Sequence, residues 1–221
     1  MQKFTVDEYL FRLLDIAYSC KTRYAWGAFG APATKKNRER YNISEEISSN
    51  RFLFDCSGFA YKAIPWGWTG DKNKVNGGAT YDASTDWSSD MILDHCTDVS
   101  TDFTKIVPGE LVWMKGHVGI YIGKDEVVEC TPKWTNGVLI SVCKNINPNT
   151  KAVKSRKWTK HAKLPFIIYN EAPQYTTARF GEGLIKIAAR CGITFEEIKR
   201  LNPNIKPPVY LVLVGQKVRI K

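Results

Sequence analysis

Three side chains in this sequence could together break an amide bond. Cys56 sits in FDCSGFA, His117 opens HVGIYIG, and Glu129 lies within EVVECTP. A thiolate is a strong nucleophile, and an imidazole beside it can take up its proton and later return it to a leaving amine. A third polar group that holds the imidazole sets its orientation. Each residue also has a plainer reading. A free cysteine is commonly a small buried apolar side chain, and a histidine at a strand start is commonly half-buried and structural. Glu129 could face solvent on a sheet edge, although a carboxylate inside an apolar strand is costly unless partnered. Hairpin register decides between these readings for Glu129, and sequence does not set it here.

The elements that would carry these groups are legible in outline. A helix should start at Cys56 or Ser57 and end before Pro65, with Gly58 allowing close backbone approach and Phe59, Tyr61 and Ile64 packing beneath. Its unpaired N–H groups are expected to lower the pKa of Cys56. Upstream, Thr5-Val6-Asp7-Glu8 has the form of a capping box. Tyr9, Leu10, Leu13, Leu14, Ile16, Ala17 and Cys20 then recur at helical spacing, which predicts a helix over 6–21. Residues 27–50 read as a long loop with a short helix at SEEISS, and 67–104 as polar and irregular. From Pro108 onward, ELVWM, HVGIYIG, EVVEC, GVLISV and PFIIY read as strands of an antiparallel sheet, with a tight hairpin at IGKDEV. Helices followed by strands predict an α+β domain.

A second, smaller pattern follows a polar linker over 169–174. YTTA reads as a strand, and a helix over 183–191 places Leu184, Ile187, Ala188 and Cys191 on one face, with Gly192 as its stop. Thr194-Phe195-Glu196-Glu197 reads as another capping box, opening a helix whose Ile198 and Leu201 face inward, and GQKVRI supplies the last strand. The result is a β-α-α-β module.

Composition bounds the partners. The chain has 221 residues, 43% hydrophobic and 24% charged, which is ordinary for a soluble globular protein. Its net charge of +10 favours a polyanionic partner. The basic residues are scattered apart from KKNRER, and no nucleic-acid motif accompanies them, so an anionic cell wall is the expected partner rather than nucleic acid. The seven tryptophans are core residues or stacking platforms for peptide or sugar. None of the six cysteines forms a C-x-x-C pair, and the adjacent His95 and Cys96 lack a second pair at ligand spacing, so neither metal nor cofactor is expected. The amino terminus does not read as a secretion signal. No stretch reaches the roughly 18 apolar residues of a membrane span. Synthesis in the cytoplasm without a visible signal peptide, no membrane insertion, and a monomer are the expectations.

YAWG, DCSGFA, PGELVW and GHVGIYIG, in this order over residues 5–168, resemble the NlpC-type family of papain-like cysteine peptidases. That family cleaves peptides of bacterial peptidoglycan, mostly beside D-amino acids. The resemblance implies a papain-like domain over 1–168 with Cys56 as nucleophile and His117 as general base. Glu129 falls at the position of the orienting residue, where the family often has histidine. Tyr24 matches a tyrosine near the nucleophile, and Asp55 and Ser57 match positions that bind the substrate backbone. Insertions at 30–50 and 69–103 bear on the substrate groove. Residues 175–221, through KIAARCGITFEEIKRLNPNI and GQKVRI, resemble a LysM module. That resemblance implies binding of N-acetylglucosamine-containing glycan by Gly181, Glu182, Gly183, Leu184, Asn202, Pro203, Asn204 and Ile205. Gly183 departs from the usual Thr or Ser helix cap. The two resemblances together imply an endolysin-like peptidoglycan hydrolase: a cysteine endopeptidase cutting the stem peptide, for instance at a γ-D-glutamyl-diamino acid bond, with a wall anchor. An N-acetylmuramoyl-L-alanine amidase and a non-catalytic wall-binding protein are the alternatives.

Overall fold

The computed structural model describes residues 2–169, 175–206 and 210–220. The chain divides into two compact units, Met1–Tyr169 and Asn170–Lys221. Of the linker expected over 169–174, Tyr169 is anchored in the first unit, where its hydroxyl donates to the Gly109 carbonyl at 2.9 Å. Residues 170–174 lie outside the described residues.

The first unit opens with a helix over Val6–Ser19. Its capping box forms: the Thr5 N–H donates to Glu8 Oε2 at 2.9 Å, and the Glu8 N–H donates to Thr5 Oγ1 at 3.3 Å. Helical spacing puts Tyr9, Leu13 and Ile16 in the core. A seven-stranded sheet supplies the platform. Its order is Ser155–Arg156, Gly137–Cys143, Glu126–Thr131, His117–Gly123, Leu111–Met114, Lys160–Lys163 and Thr97–Ser100. All neighbours are antiparallel except the first pair. Strand alternation explains why both sheet faces are apolar. Val118, Ile120 and Val128 share a core with Leu13, Ile16 and Phe59, while Val112, Tyr121 and Val127 pack with Phe103, Cys143 and Trp158. At the hairpin tip, Lys124 and Asp125 both take left-handed conformations (φ 49 and 58), the pattern of a two-residue type I′ turn.

Several local expectations are corrected. SEEISS forms no helix; Lys35–Arg40 does, capped by Thr34, whose side chain accepts the Asn37 N–H. The carboxylates of Glu45 and Glu46 are drawn to Arg23 and Arg38 instead. Residues 27–50 are not all loop, because Phe29–Pro32 joins a three-stranded sheet with Arg51–Phe54 at its centre and Lys21–Tyr24 on the far side. Residues 67–104 contain a Ser88-capped helix, Ser89–Asp94, and the edge strand Thr97–Ser100. Ile167–Ile168 of PFIIY leaves the main sheet and pairs in parallel with Phe4–Thr5. The helix after Cys56 takes a π conformation over Gly58–Lys62, with the Ala63 N–H reaching back five residues to the Gly58 carbonyl at 2.8 Å.

The second unit pairs Tyr175–Thr177 with Lys217–Arg219 and packs the helices Leu184–Cys191 and Phe195–Leu201 around Ala178, Leu184, Ile187, Ala188, Ile198 and Val218. Gly192 (φ 70) closes the first helix in a left-handed conformation. The second capping box is only half made. Thr194 accepts the Glu197 N–H at 3.1 Å, but the Glu197 carboxylate turns to Arg200. No described helix is long and apolar enough to cross a membrane.

Candidate active site

Cys56 is positioned by the strand before it and the turn after it. Tyr24 lies beside Phe54 in the paired strands. The Ala25 N–H donates to the Phe54 carbonyl, and the Asp55 N–H donates to the Ala28 carbonyl, both at 2.8 Å. The Asp55 carboxylate takes the Gly27 N–H at 2.8 Å, the Ser57 hydroxyl at 2.9 Å and the Gly58 N–H. Asp55 and Ser57 are both buried and spend these bonds on the turn that presents Cys56. Gly58 is required there, since a Cβ would lie 2.0 Å from the Ala28 carbonyl oxygen.

Cys56 is 5% exposed. Burial and then the charge of Asp55 push its pKa up to about 11, against the N–H groups of Val118, Ser57 and Cys56 itself, which favour the thiolate. The expected lowering is therefore overturned. The helix is short and passes at once into a π turn, so its aligned N–H groups do not outweigh desolvation. The Val118 contact also places the sulfur against the backbone next to His117.

His117 is held from behind. Its Nε2 lies 2.6 Å from Glu129 Oε2, and its ring stacks on Trp158 with centroids 5.5 Å apart and planes 13° from parallel. A carboxylate only accepts, so Nε2 carries the proton and, in the neutral ring, Nδ1 is left as the basic nitrogen. Gly119 makes the reach across the hairpin feasible. It faces Glu129 with no side chain, and a Cβ there would lie 3.2 Å from Glu129 Cβ and 2.7 Å from Val127 Cγ1.

Glu129 has 0% exposure and is fully engaged. The Ser141 hydroxyl donates to Oε1, Arg156 donates to Oε2 through Nε at 3.1 Å, and a terminal guanidinium nitrogen forms an ion pair with the same oxygen at 2.9 Å. The Arg156 guanidinium lies over Trp134 at 5.1 Å and over Trp158 at 5.5 Å. Burial raises the Glu129 pKa, but the bond and charge of His117, the charge of Arg156 and the Ser141 bond outweigh it, leaving a net lowering. Sequence reasoning missed Ser141, Arg156 and Trp158. Ser141 had a weak signal, a small polar residue on the same face of GVLISVC as Leu139 and Cys143. Arg156 was hidden in a basic stretch.

Tyr24 is half-buried beside this group. Burial raises its hydroxyl pKa, and the charges of Cys56 and Asp55 add to the rise. His95 stands apart, stacked on Trp87 with centroids 3.5 Å apart, and the Cys96 thiol donates to the Ile92 carbonyl. Among the described residues, no three His, Cys, Asp or Glu side chains converge as a metal site would.

Residues 177–221 match the family model of the LysM domain. The carboxy-terminal unit is a LysM domain. No curated protein matches the chain. Among solved structures, it is similar to the peptidoglycan hydrolase RipB from Mycobacterium tuberculosis, at 14% identity and a TM-score of 0.36 over 72% of this chain; the chain covers 65% of that one. Within the LysM domain, two residues of the expected glycan site turn inward. Leu184 is a core residue, and the Asn202 amide donates to the Ile198 and Arg219 carbonyls while its Oδ1 accepts the Arg219 N–H. Gly181, Pro203 and Asn204 are exposed, Gly183 and Ile205 are partly exposed, and Glu182 is paired with Arg190 at 2.7 Å. Gly183 caps its helix with no side-chain bond, a deficit worth roughly 0.3 kcal/mol relative to Thr or Ser.

Proposed function

We propose that this chain is a peptidoglycan hydrolase. Residues 1–168 act as a cysteine endopeptidase on the stem peptide, at an amide bond beside a D-amino acid, and the LysM domain over 175–221 holds the enzyme on wall glycan. The reading rests on one observation: Glu129 occupies Nε2 of His117, leaving Nδ1 for proton exchange, while the N–H of the next residue, Val118, meets the sulfur of Cys56.

The chemistry follows from those positions. The thiol proton passes to Nδ1 of His117 as the sulfur attacks the amide carbonyl carbon. A C–S bond forms, and the carbonyl oxygen becomes an oxyanion held by backbone N–H groups at the turn. The C–N bond then breaks, and the amine leaves with the proton from His117. Water, deprotonated by the same nitrogen, attacks the thioester, and the C–S bond breaks to return the thiol and release the acid. Glu129 and Ser141 keep the ring in register through both halves.

Digestion of purified walls, with mass analysis of fragments and identification of the new amine terminus, tests the reading. An endopeptidase exposes an amine within the stem peptide; an amine on L-alanine next to muramic acid would make it an amidase. Cys56→Ser should lower lysis by at least about a thousandfold while the protein still pellets with walls. Undiminished lysis would leave a binding protein without this chemistry.

A further inference from the structure

Next to the Cys56 turn lies an open pocket of about 370 Å³, walled in part by Arg23, Tyr24, Trp26, Tyr41, Glu45 and Asn136. It shares Tyr24 with the candidate active site. Tyr24 pairs with Phe54, the Gly27 N–H next to Trp26 binds the carboxylate of Asp55, and the Tyr24 N–H donates to the Asn136 carbonyl at 3.2 Å. Its outer wall, from Tyr41 to Glu45, belongs to the insertion over 30–50, which the catalytic chemistry leaves unexplained.

Three features of this pocket point to a ligand. The Tyr41 hydroxyl and Asn136 Oδ1 are closed off from solvent with no hydrogen-bond partner. Buried polar atoms are rarely left so, because the desolvation is not recovered. The Trp26 indole is 78% exposed at the rim, an apolar platform in a polar setting. Arg23 is the third feature. Its side chain is only 16% exposed, and its guanidinium is held at 2.8 Å by Glu45, whose own side chain is 64% exposed. A largely buried cation bound to a carboxylate at the end of an exposed loop side chain can exchange that carboxylate for one from outside. A planar guanidinium is well suited to such recognition.

We propose that this pocket is a subsite for a carboxylate-bearing part of the stem peptide, with Arg23 as its anchor and Glu45 as the internal carboxylate that the ligand displaces. The inference rests on the hydrolase reading and specifies which chemistry the groove selects: a free acid over its amide.

The test is equilibrium binding to the full chain carrying Cys56→Ser, so that no turnover intervenes. The probes are the tetrapeptide L-Ala-γ-D-Glu-L-Lys-D-Ala with the glutamyl α-carboxyl either free or amidated. The free acid should bind about tenfold more tightly, the factor expected for one charge-assisted pair. Arg23→Gln should remove that preference, Arg23→Lys should keep part of it, and Glu45→Gln should strengthen binding of the free acid severalfold. Equal affinity for acid and amide, a preference that survives Arg23→Gln, or no binding of either probe would overturn the proposal. Wall digestion by the unsubstituted chain separates the two readings: activity without acid preference sinks the subsite alone, and absence of Cys56-dependent activity sinks the hydrolase.

Discussion

A cysteine whose pKa burial raises to about 11 carries its proton at neutral pH. In the proposed mechanism, attack by the sulfur is then coupled to loss of its proton. Alkylation of Cys56 by iodoacetamide should accordingly climb about tenfold per pH unit from pH 7 towards 10, since the thiolate fraction rises that way below the thiol pKa. A rate that is flat from below pH 7 would mean a preformed ion pair and would refute the argument. Cys56, His117 and Glu129 stood out in the sequence because their chemistry is unusual in the segments that carry them. Ser141 and Arg156 did not, because their role comes only from which strands lie side by side.

The elements differ in how much of themselves they display. The helix over Val6–Ser19 has both a period and a cap, and the hairpin at Lys124-Asp125 has its turn residues. Lys21–Tyr24 and Arg51–Phe54 have neither, being too short to show alternation and, in RFLF, mostly buried. The π turn after Cys56 has no signature in the residues that form it. Tertiary contact explains it: Gly58 is pressed against the Ala28 carbonyl, so the helix begins where the neighbouring loop permits. Gly58→Ala should therefore destabilise the protein by about 1–3 kcal/mol in urea unfolding, through overpacking against backbone that cannot yield. Unchanged stability would show that the loop over Tyr24–Ala28 moves freely and does not set the position of Cys56.

The hydrophobic clusters of Met1–Tyr169 and the cluster of the LysM domain draw on separate residues. Truncation after Tyr169 should leave hydrolysis of a soluble stem peptide unchanged while slowing degradation of insoluble walls by about tenfold or more, the loss expected when a tethered binder is removed. Equal slowing on both substrates would mean that the second unit supports the fold of the first. The shift from polar linker to a new helical pattern made this division visible in the sequence, whereas the wall of the pocket beside Cys56 was not, since it depends on where a long insertion comes to rest. That insertion departs from Pro32 and rejoins at Arg51, on strands that pair directly with each other, Pro32 against Phe52. Its two ends are thus stapled together independently of what lies between them. Segments of other length and composition can be grafted at this junction as a cassette, reshaping the pocket beside Cys56 while the sulfur stays where it is.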